Sequence, residues 1–437
     1  MDCKRSSLSN LQLQKDGIDY ISQMSDDILV VILSLTPFKD AVATSILARR
    51  WRYTWQKLRQ LNLDGGDLRI LKSESEREKF INQVNSVIRS YNKPTLGGFR
   101  IRYAFKPNHQ HFIYDCIEFA VNKKVEFLEL DFMNQFSFLF SRGEGYDVFK
   151  SRVVVLPYLK KLILKGVLVR EEAFEAFLMN SPLVETISIC DSPYLYSVHV
   201  NGRQSPNLKH LKIMDNFSVR SVNLSDLNNL VSFTCRNSDR ADFCLAHLPN
   251  LKEINLQFGR FDIHNVFIQM SSCALSLQSL SITVLQPEPE EEGYSKILDS
   301  VPMLPNLKNL KLTIGGGIDD QLVFLASIMN ACPNLETFSI MVHTHTISRW
   351  TSPKISMKKA RDAANPHKHL KIVEIVDYVG RKRDFELAEY IIRTFVALKK
   401  VKITVVRSSP NYQEAFRSSA EGLVKLTEPK GVELIVL

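Results

Sequence analysis

Several familiar sources of chemistry are missing from this chain. Its seven cysteines, at positions 3, 116, 190, 235, 244, 273 and 332, are odd in number, scattered, and include no C-x-x-C pair. That argues against a disulfide framework and for a reducing compartment, where a free thiol behaves as a small hydrophobe. No apolar run is long enough to cross a bilayer, and MDCKRSSLSN at the start lacks the apolar core of a secretory signal. The expected setting is the nucleus or the cytoplasm, with no membrane partner. There is no G-x-S-x-G, and Gly315-Gly316-Gly317 lacks the Lys-Ser/Thr of a phosphate loop and reads as a turn. His343 and His345 share a strand face but have no third ligand at useful spacing, so they read as a surface pair. No catalytic centre, metal or cofactor is expected.

What is present is ordinary in bulk and unusual in order. With 437 residues the chain is too long for one compact core, and 45% hydrophobic with 24% charged residues is the balance of a globular protein. The net charge of +9 is modest for that length. With the basic stretch Ser352–Lys371 it is the only support for nucleic-acid binding, which is disfavoured because the charge is not clustered with aromatics. The informative feature is a Leu-x-x-Leu-x-Leu phrase that returns ten times, at Val125–Leu130, Leu159–Leu164, Leu183–Ile189, Leu208–Ile213, Leu230–Cys235, Leu251–Leu256, Leu277–Ile282, Leu307–Leu312, Leu335–Ile340 and Leu398–Ile403. Four of these carry Pro-Asn-Leu, at Pro206, Pro249, Pro305 and Pro333. Spacings mostly between 21 and 30 residues are those of leucine-rich repeats.

The expected organisation follows from these changes of pattern. Residues 1–17 form a polar, disordered tail, and 18–64 a helical block. Residues 65–120 hold a linker and a first degenerate repeat with a strand near Phe99–Phe105, and the repeats proper occupy 121–350. The acidic loop Pro287–Gly293 is a solvated excursion. Residues 351–437 add strand Leu370–Val376, helix Phe385–Phe395, strand Leu398–Val406, helix Gln413–Thr427 and strand Val432–Leu437, which close the exposed end of a solenoid. The fold class is α/β: a horseshoe with a parallel sheet on the concave side and helices on the convex side.

In the helical block, Ile28, Leu29, Ile32 and Leu33 share a helix face, Thr36-Pro37 ends that helix, and Trp51 and Trp55 lie four apart. The run Ile21-Ser22-Gln23-Met24-Ser25-Asp26-Asp27-Ile28-Leu29, with Lys39-Asp40-Ala41-Val42, Thr44-Ser45-Ile46-Leu47 and Arg49-Arg50-Trp51-Arg52-Tyr53-Thr54-Trp55, resembles a three-helix F-box of the plant type. Met24-Ser25 stands where that family has Leu-Pro. Met conserves volume, but losing the proline removes a rigid helix start, a change expected to weaken adaptor docking without abolishing it. Residues Leu370–Ile375 through Gly380, Glu386–Ala388, Ile391 and Leu398–Ile403 look like the FBD region that accompanies F-boxes and leucine-rich repeats.

The resemblance implies a non-catalytic substrate receptor of an SCF-type ubiquitin ligase. The F-box would hold a Skp-type adaptor and, through it, cullin and RING subunits, while the repeats hold a protein substrate. A repeat scaffold outside any ligase is the alternative. Candidate adaptor-binding residues are Ile28, Leu29, Ile32, Leu33, Val42, Leu47 and Trp51, some of which must serve the block's own core. Because strand side chains alternate, the residues between the leucines face outward. The cationic ones, Lys161, His210, Lys212, Lys311, Lys400 and Lys402, are the candidate substrate contacts and suit an acidic or phosphorylated segment.

Overall fold

The computed structural model describes residues 20–66, 73–104, 109–132, 155–238, 241–261, 263–287, 301–315, 328–343, 367–406 and 410–437. The tail 1–17, the acidic residues 288–293, Gly316, Gly317, His345 and the basic residues 352–366 lie outside them.

The strands, in chain order, begin with β1 (Gln60–Asp64), β2 (Gly98–Arg102), β3 (Phe127–Asp131), β4 (Lys161–Lys165), β5 (Thr186–Cys190) and β6 (Ser197–Asn201). They continue with β7 (His210–Met214), β8 (Ser221–Ser225), β9 (Ser232–Ser238), β10 (Asp242–Ala246), β11 (Glu253–Phe261) and β12 (Ser279–Pro287). The last are β13 (Asn309–Gly315), β14 (Thr337–His343), β15 (Ile372–Tyr378), β16 (Lys400–Val405) and β17 (Glu433–Val436). Fourteen of them form one parallel sheet in sequence order; β6, β8 and β10 form a second, three-stranded parallel sheet. This is the solenoid that the returning phrase demands. The leucine positions of each phrase face the covered side: in β7, Leu211 and Ile213 are buried while Lys212 between them is exposed. The helical block ends earlier than its pattern indicated, since Gln60–Asp64 pairs with β2 and opens the large sheet.

The covered side corrects one expectation. Helices do back the sheet after β1 (Glu74–Ser90), β2 (Gln110–Asn122), β4 (Glu171–Met179), β11 (Ile263–Met270), β15 (Lys382–Thr394) and β16 (Pro410–Glu421). Between β5 and β11 the second layer is instead the sheet β6-β8-β10. The reason is chain length. Strand starts there, at Thr186, His210, Ser232 and Glu253, are only 24, 22 and 21 residues apart. A helix rises about 1.5 Å per residue and a strand about 3.3 Å, so the shortest repeats close only with an extended outer segment. The two sheets are joined through aromatic rings: Phe243 of β10 meets Phe258 of β11 edge-on at 5.2 Å and Phe233 of β9 at 6.2 Å.

The recurrent Pro-Asn-Leu acquires a physical meaning. Each asparagine amide donates to a backbone carbonyl of the preceding repeat: Asn207 to Pro182 at 2.9 Å, Asn250 to Asn228 at 2.7 Å, Asn306 to Leu275 at 2.6 Å and Asn334 to Pro305 at 2.8 Å. Asn229, in an Asn-Asn-Leu variant, does the same to Pro206 at 2.8 Å. This ladder supplies donors to turn carbonyls that no strand partner reaches. Asn207→Ala and Asn334→Ala are each expected to cost about 1 kcal/mol, and the pair about twice that, because the sites are far apart. Urea unfolding of the three variants checks it.

One apolar core runs the length of the molecule, from Leu29 near the start to Val432 near the end. Five of the described cysteines belong to it or border it; burial pushes the thiols of Cys190 and Cys332 up to about 12 and that of Cys273 up to about 11. They are packing residues, as their positions in the repeats predicted. At the C-terminal end the order strand, helix, strand, helix, strand follows the sequence reading, and β17 closes the sheet.

Candidate protein-docking faces

The first face is built on three short helices, α1 (Tyr20–Gln23), α2 (Asp26–Ser34) and α3 (Phe38–Ala43), followed by the 3-10 segments Thr44–Ile46 and Trp51–Lys57. Ser25 sits in extended backbone and its hydroxyl accepts from the Ile28 amide at 3.5 Å, so a side-chain cap starts α2 where a proline was missed. Met24 packs partly buried against the core. The Arg50 guanidinium donates to the Met24 carbonyl, and its Nε also to Asp26 Oδ1 at 2.7 Å; Lys57 Nζ reaches Asp26 Oδ2 at 2.6 Å. Asp26 therefore clasps the start of α2 to the second 3-10 segment. Phe38 meets Trp55 edge-on at 5.8 Å, and Trp51 and Trp55 are both buried.

This packing divides the apolar candidates into two stripes. Leu29 and Leu33 are 0% and 1% exposed, and Trp51 is buried; these three are core residues, not surface anchors, and share one apolar core with Ala41 and Trp55. Val42 is partly buried against the same core. Ile28, Ile32 and Leu47 are exposed as a docking face requires. Sequence reasoning missed Val31, Leu35 and Ile46, all exposed. The signal was there: Ile28, Val31, Ile32 and Leu35 repeat at i, i+3, i+4 and i+7, a second helical stripe opposite to Leu29 and Leu33. An uncovered apolar stripe of this kind marks an interaction site.

The Asp26 carboxyl is held below the usual carboxylate range, first by its hydrogen bond to Lys57 and then by that to Arg50. Its folded value lies below its unfolded one, so the clasp stabilises fully above the unfolded carboxylate range and is lost as pH falls through the folded value. In Asp26→Asn the acid-side decline of the unfolding midpoint is expected to be shallower than in the natural chain. Thermal unfolding across an acid pH series checks it.

The second face is the open side of the large sheet. Lys161 is exposed with its ammonium 5.1 Å from the Phe127 ring centroid, His210 Nδ1 lies 2.7 Å from Ser232 Oγ, and Lys400 pairs with Glu433 at 2.9 Å. Lys212 and Lys311 are exposed in the same crossing row as Thr234, Asn255 and Ser281. The structure does not gather the six cations: Lys161 on β4 and Lys402 on β16 lie nine strand steps apart, on the order of 40 Å. At the β2–β4 end the charges neutralise one another. Glu129, nearly buried, lies 3.2 Å from Arg100 and 3.1 Å from Lys165, which also reaches Asp131 at 3.0 Å. Burial lowers the Lys165 pKa, but hydrogen bonds and charge from Asp131 and Glu129 outweigh it and hold the ammonium above its ordinary value.

An exposed apolar stripe on an N-terminal helical block, fused without a break to a fourteen-stranded solenoid, is matched by two families. Residues 21–62 match the F-box domain, and residues 148–427, more than half of the chain, match the leucine-rich-repeat domain of At1g61320/AtMIF1. The chain belongs to the plant F-box/leucine-rich-repeat family. The family includes relatives along most of its length. An F-box/LRR-repeat protein of Arabidopsis thaliana, At5g02910, is 27% identical over 353 residues, 76% of this chain and 68% of the relative. The FBD-associated F-box protein At4g10400 is 25% identical over 423 residues, 88% and 92% of the two chains. The F-box/FBD/LRR-repeat protein At5g22660, also from Arabidopsis, is 21% identical over 420 residues, 90% and 91% of the two. For this F-box/leucine-rich-repeat protein, among the described residues no group of three or more His, Cys, Asp or Glu could hold a metal ion, and no helix is long and apolar enough to cross a membrane.

Proposed function

We propose that this protein is the substrate-recognition subunit of an SCF-type ubiquitin ligase, its F-box docked on a Skp-type adaptor and its repeats holding a protein substrate. The observation that carries the reading is the stripe Ile28, Val31, Ile32 and Leu35, which stays exposed among the described residues although Leu29 and Leu33 on the same helix are fully packed. F-box domains in general bind that adaptor, and the stripe offers the central apolar anchors such an interface needs. On this reading the chain performs no chemistry. It raises the local concentration of substrate lysines near the conjugating enzyme, and it does so in the nucleus or the cytoplasm. The Ser25 cap argues against the scaffold alternative, because α2 has a defined start without the proline. Co-expression with a plant Skp-type adaptor, followed by size-exclusion chromatography, tests it. A one-to-one complex is expected; separate peaks with the chain folded would leave only the scaffold.

A further inference from the structure

The first x of each Leu-x-x-Leu-x-Leu phrase lies in a row along one rim of the sheet, and its charge differs between the two ends. From β1 to β7 the row reads Arg59, Gly97, Glu126, Lys160, Glu185 and Lys209, each backbone amide bonded to the preceding rung or its neighbour. Acids meet bases there: Glu126 lies 3.7 Å from Arg59 and 3.1 Å from Lys160, and Glu185 lies 2.9 Å from Lys209. From β11 to β16 the row reads Lys252, Gln278, Lys308, Glu336, Lys371 and Lys399, joined rung to rung by amide-to-carbonyl bonds of 2.8 to 2.9 Å. Four lysines here face one glutamate. Glu336 is shared between Lys371 at 3.2 Å and Lys308 at 3.9 Å, and neither Lys252 nor Lys399 has a carboxylate partner among the described residues. Glu253, beside Lys252 in the chain, belongs to the open-face row.

Where the positive charge is in excess, the rim is hollowed into a groove of about 520 Å³ that crosses the turns before β11, β12, β13, β14 and β15. Lys252, Lys308 and Lys371 line it together with Asn250, Asn306 and Asn334. Those three amides are already tied to the preceding repeats, so the groove is formed before anything binds and little ordering is required of it. Four rungs at about 4.8 Å make it roughly 19 Å long. Lys252 and Lys308 are two rungs apart, about 10 Å, close to the rise of three residues of polyproline II chain at about 3.1 Å each, in which side chains three apart share a face. No Phe, Tyr or Trp lines the groove, so bases would find no stacking platform, and Glu336 in the middle opposes a continuous phosphate backbone.

We propose that this groove receives an acidic segment of the captured protein in polyproline II conformation, carboxylates three residues apart meeting Lys252 and Lys308. The proposal rests on the receptor reading above. It also places recognition on the rim rather than on the open face, so none of the six cations read from the sequence takes part. The test uses the full chain purified with the Skp-type adaptor and a fluorescent peptide with Asp at every third position and Ser between. Anisotropy is expected to show binding that weakens with added salt and is lost for the peptide with Asn in place of Asp. Lys252→Glu with Lys308→Glu should weaken binding by about tenfold or more, while Lys79→Glu, an exposed lysine on the helix Glu74–Ser90, should leave it unchanged. No binding to a complex that holds its adaptor overturns the proposal, as does equal loss in Lys79→Glu, or displacement of the peptide by oligouridine at lower concentration. Adaptor retention is read from the same preparations. Its failure overturns the receptor reading, and the titration of the chain alone still decides the groove.

Discussion

A chain carrying Leu35→Asp and Ile46→Asp is expected to elute free of the Skp-type adaptor while keeping its unfolding midpoint. Leu35 and Ile46 are 83% and 87% exposed, so a charge at either meets water and costs the folded chain almost nothing. In a complex the same carboxylates would be pressed against an apolar partner. Truncating a central apolar anchor costs about 2 kcal/mol or more, and burying an unpaired charge costs more than truncation. Two such changes amount to at least about 4 kcal/mol, a loss of roughly a thousandfold in affinity. Leu29→Asp is the necessary contrast. Leu29 is 0% exposed, so this variant should unfold the F-box itself and lose binding for a different reason, visible as lost protection of α2 in hydrogen exchange. If the exposed pair is replaced and the complex still forms, the stripe is not the docking face.

Phe258→Ala should be the most damaging single change in the repeats. The ring is fully buried and meets Phe243 of the outer sheet at 5.2 Å, so it joins the two layers at the place where the outer sheet gives way to the helix Ile263–Met270. Emptying such a site costs about 3–5 kcal/mol, part from lost transfer and part from the cavity left behind. In a solenoid each repeat leans only on its neighbours. The loss should therefore appear first in β9 to β12, as faster amide exchange there than in β2 to β4. Uniform acceleration along the whole chain would mean the repeats unfold as one unit and would contradict this account.

Much of the architecture was legible because repetition multiplies a weak signal. A single Leu-x-x-Leu-x-Leu is compatible with a helix or a strand, but ten of them at solenoid spacing are not, and their strands were found where the phrases stand. The C-terminal order of strands and helices was legible for the same reason. The outer layer was not. Whether a connection becomes a helix or a strand in Asp191–Asn207 or Asn216–Asn229 depends on how much chain is left to span the covered side, which a count of apolar residues does not reveal. The start of the sheet was hidden as well: Leu58-Arg59-Gln60-Leu61-Asn62-Leu63 carries the full phrase, but it stands alone at the end of a helical block, outside the regular series.

The candidate sites divide in the same way. By itself the sequence determined that the N-terminal block carries more large apolar residues than so small a unit can enclose, and that the strands show polar residues between their leucines. Only the tertiary structure decided which of the apolar residues are enclosed. Leu29, Leu33 and Trp51 turn inward into the core they share with Ala41 and Trp55, while Ile28, Ile32, Leu35, Ile46 and Leu47 stay exposed among the described residues. The rim charges were likewise present in the sequence as the first x of each phrase. Their imbalance has meaning only once the parallel register sets Lys252, Lys308 and Lys371 on neighbouring rungs, since Coulomb interactions depend on distance in space and not on separation along the chain.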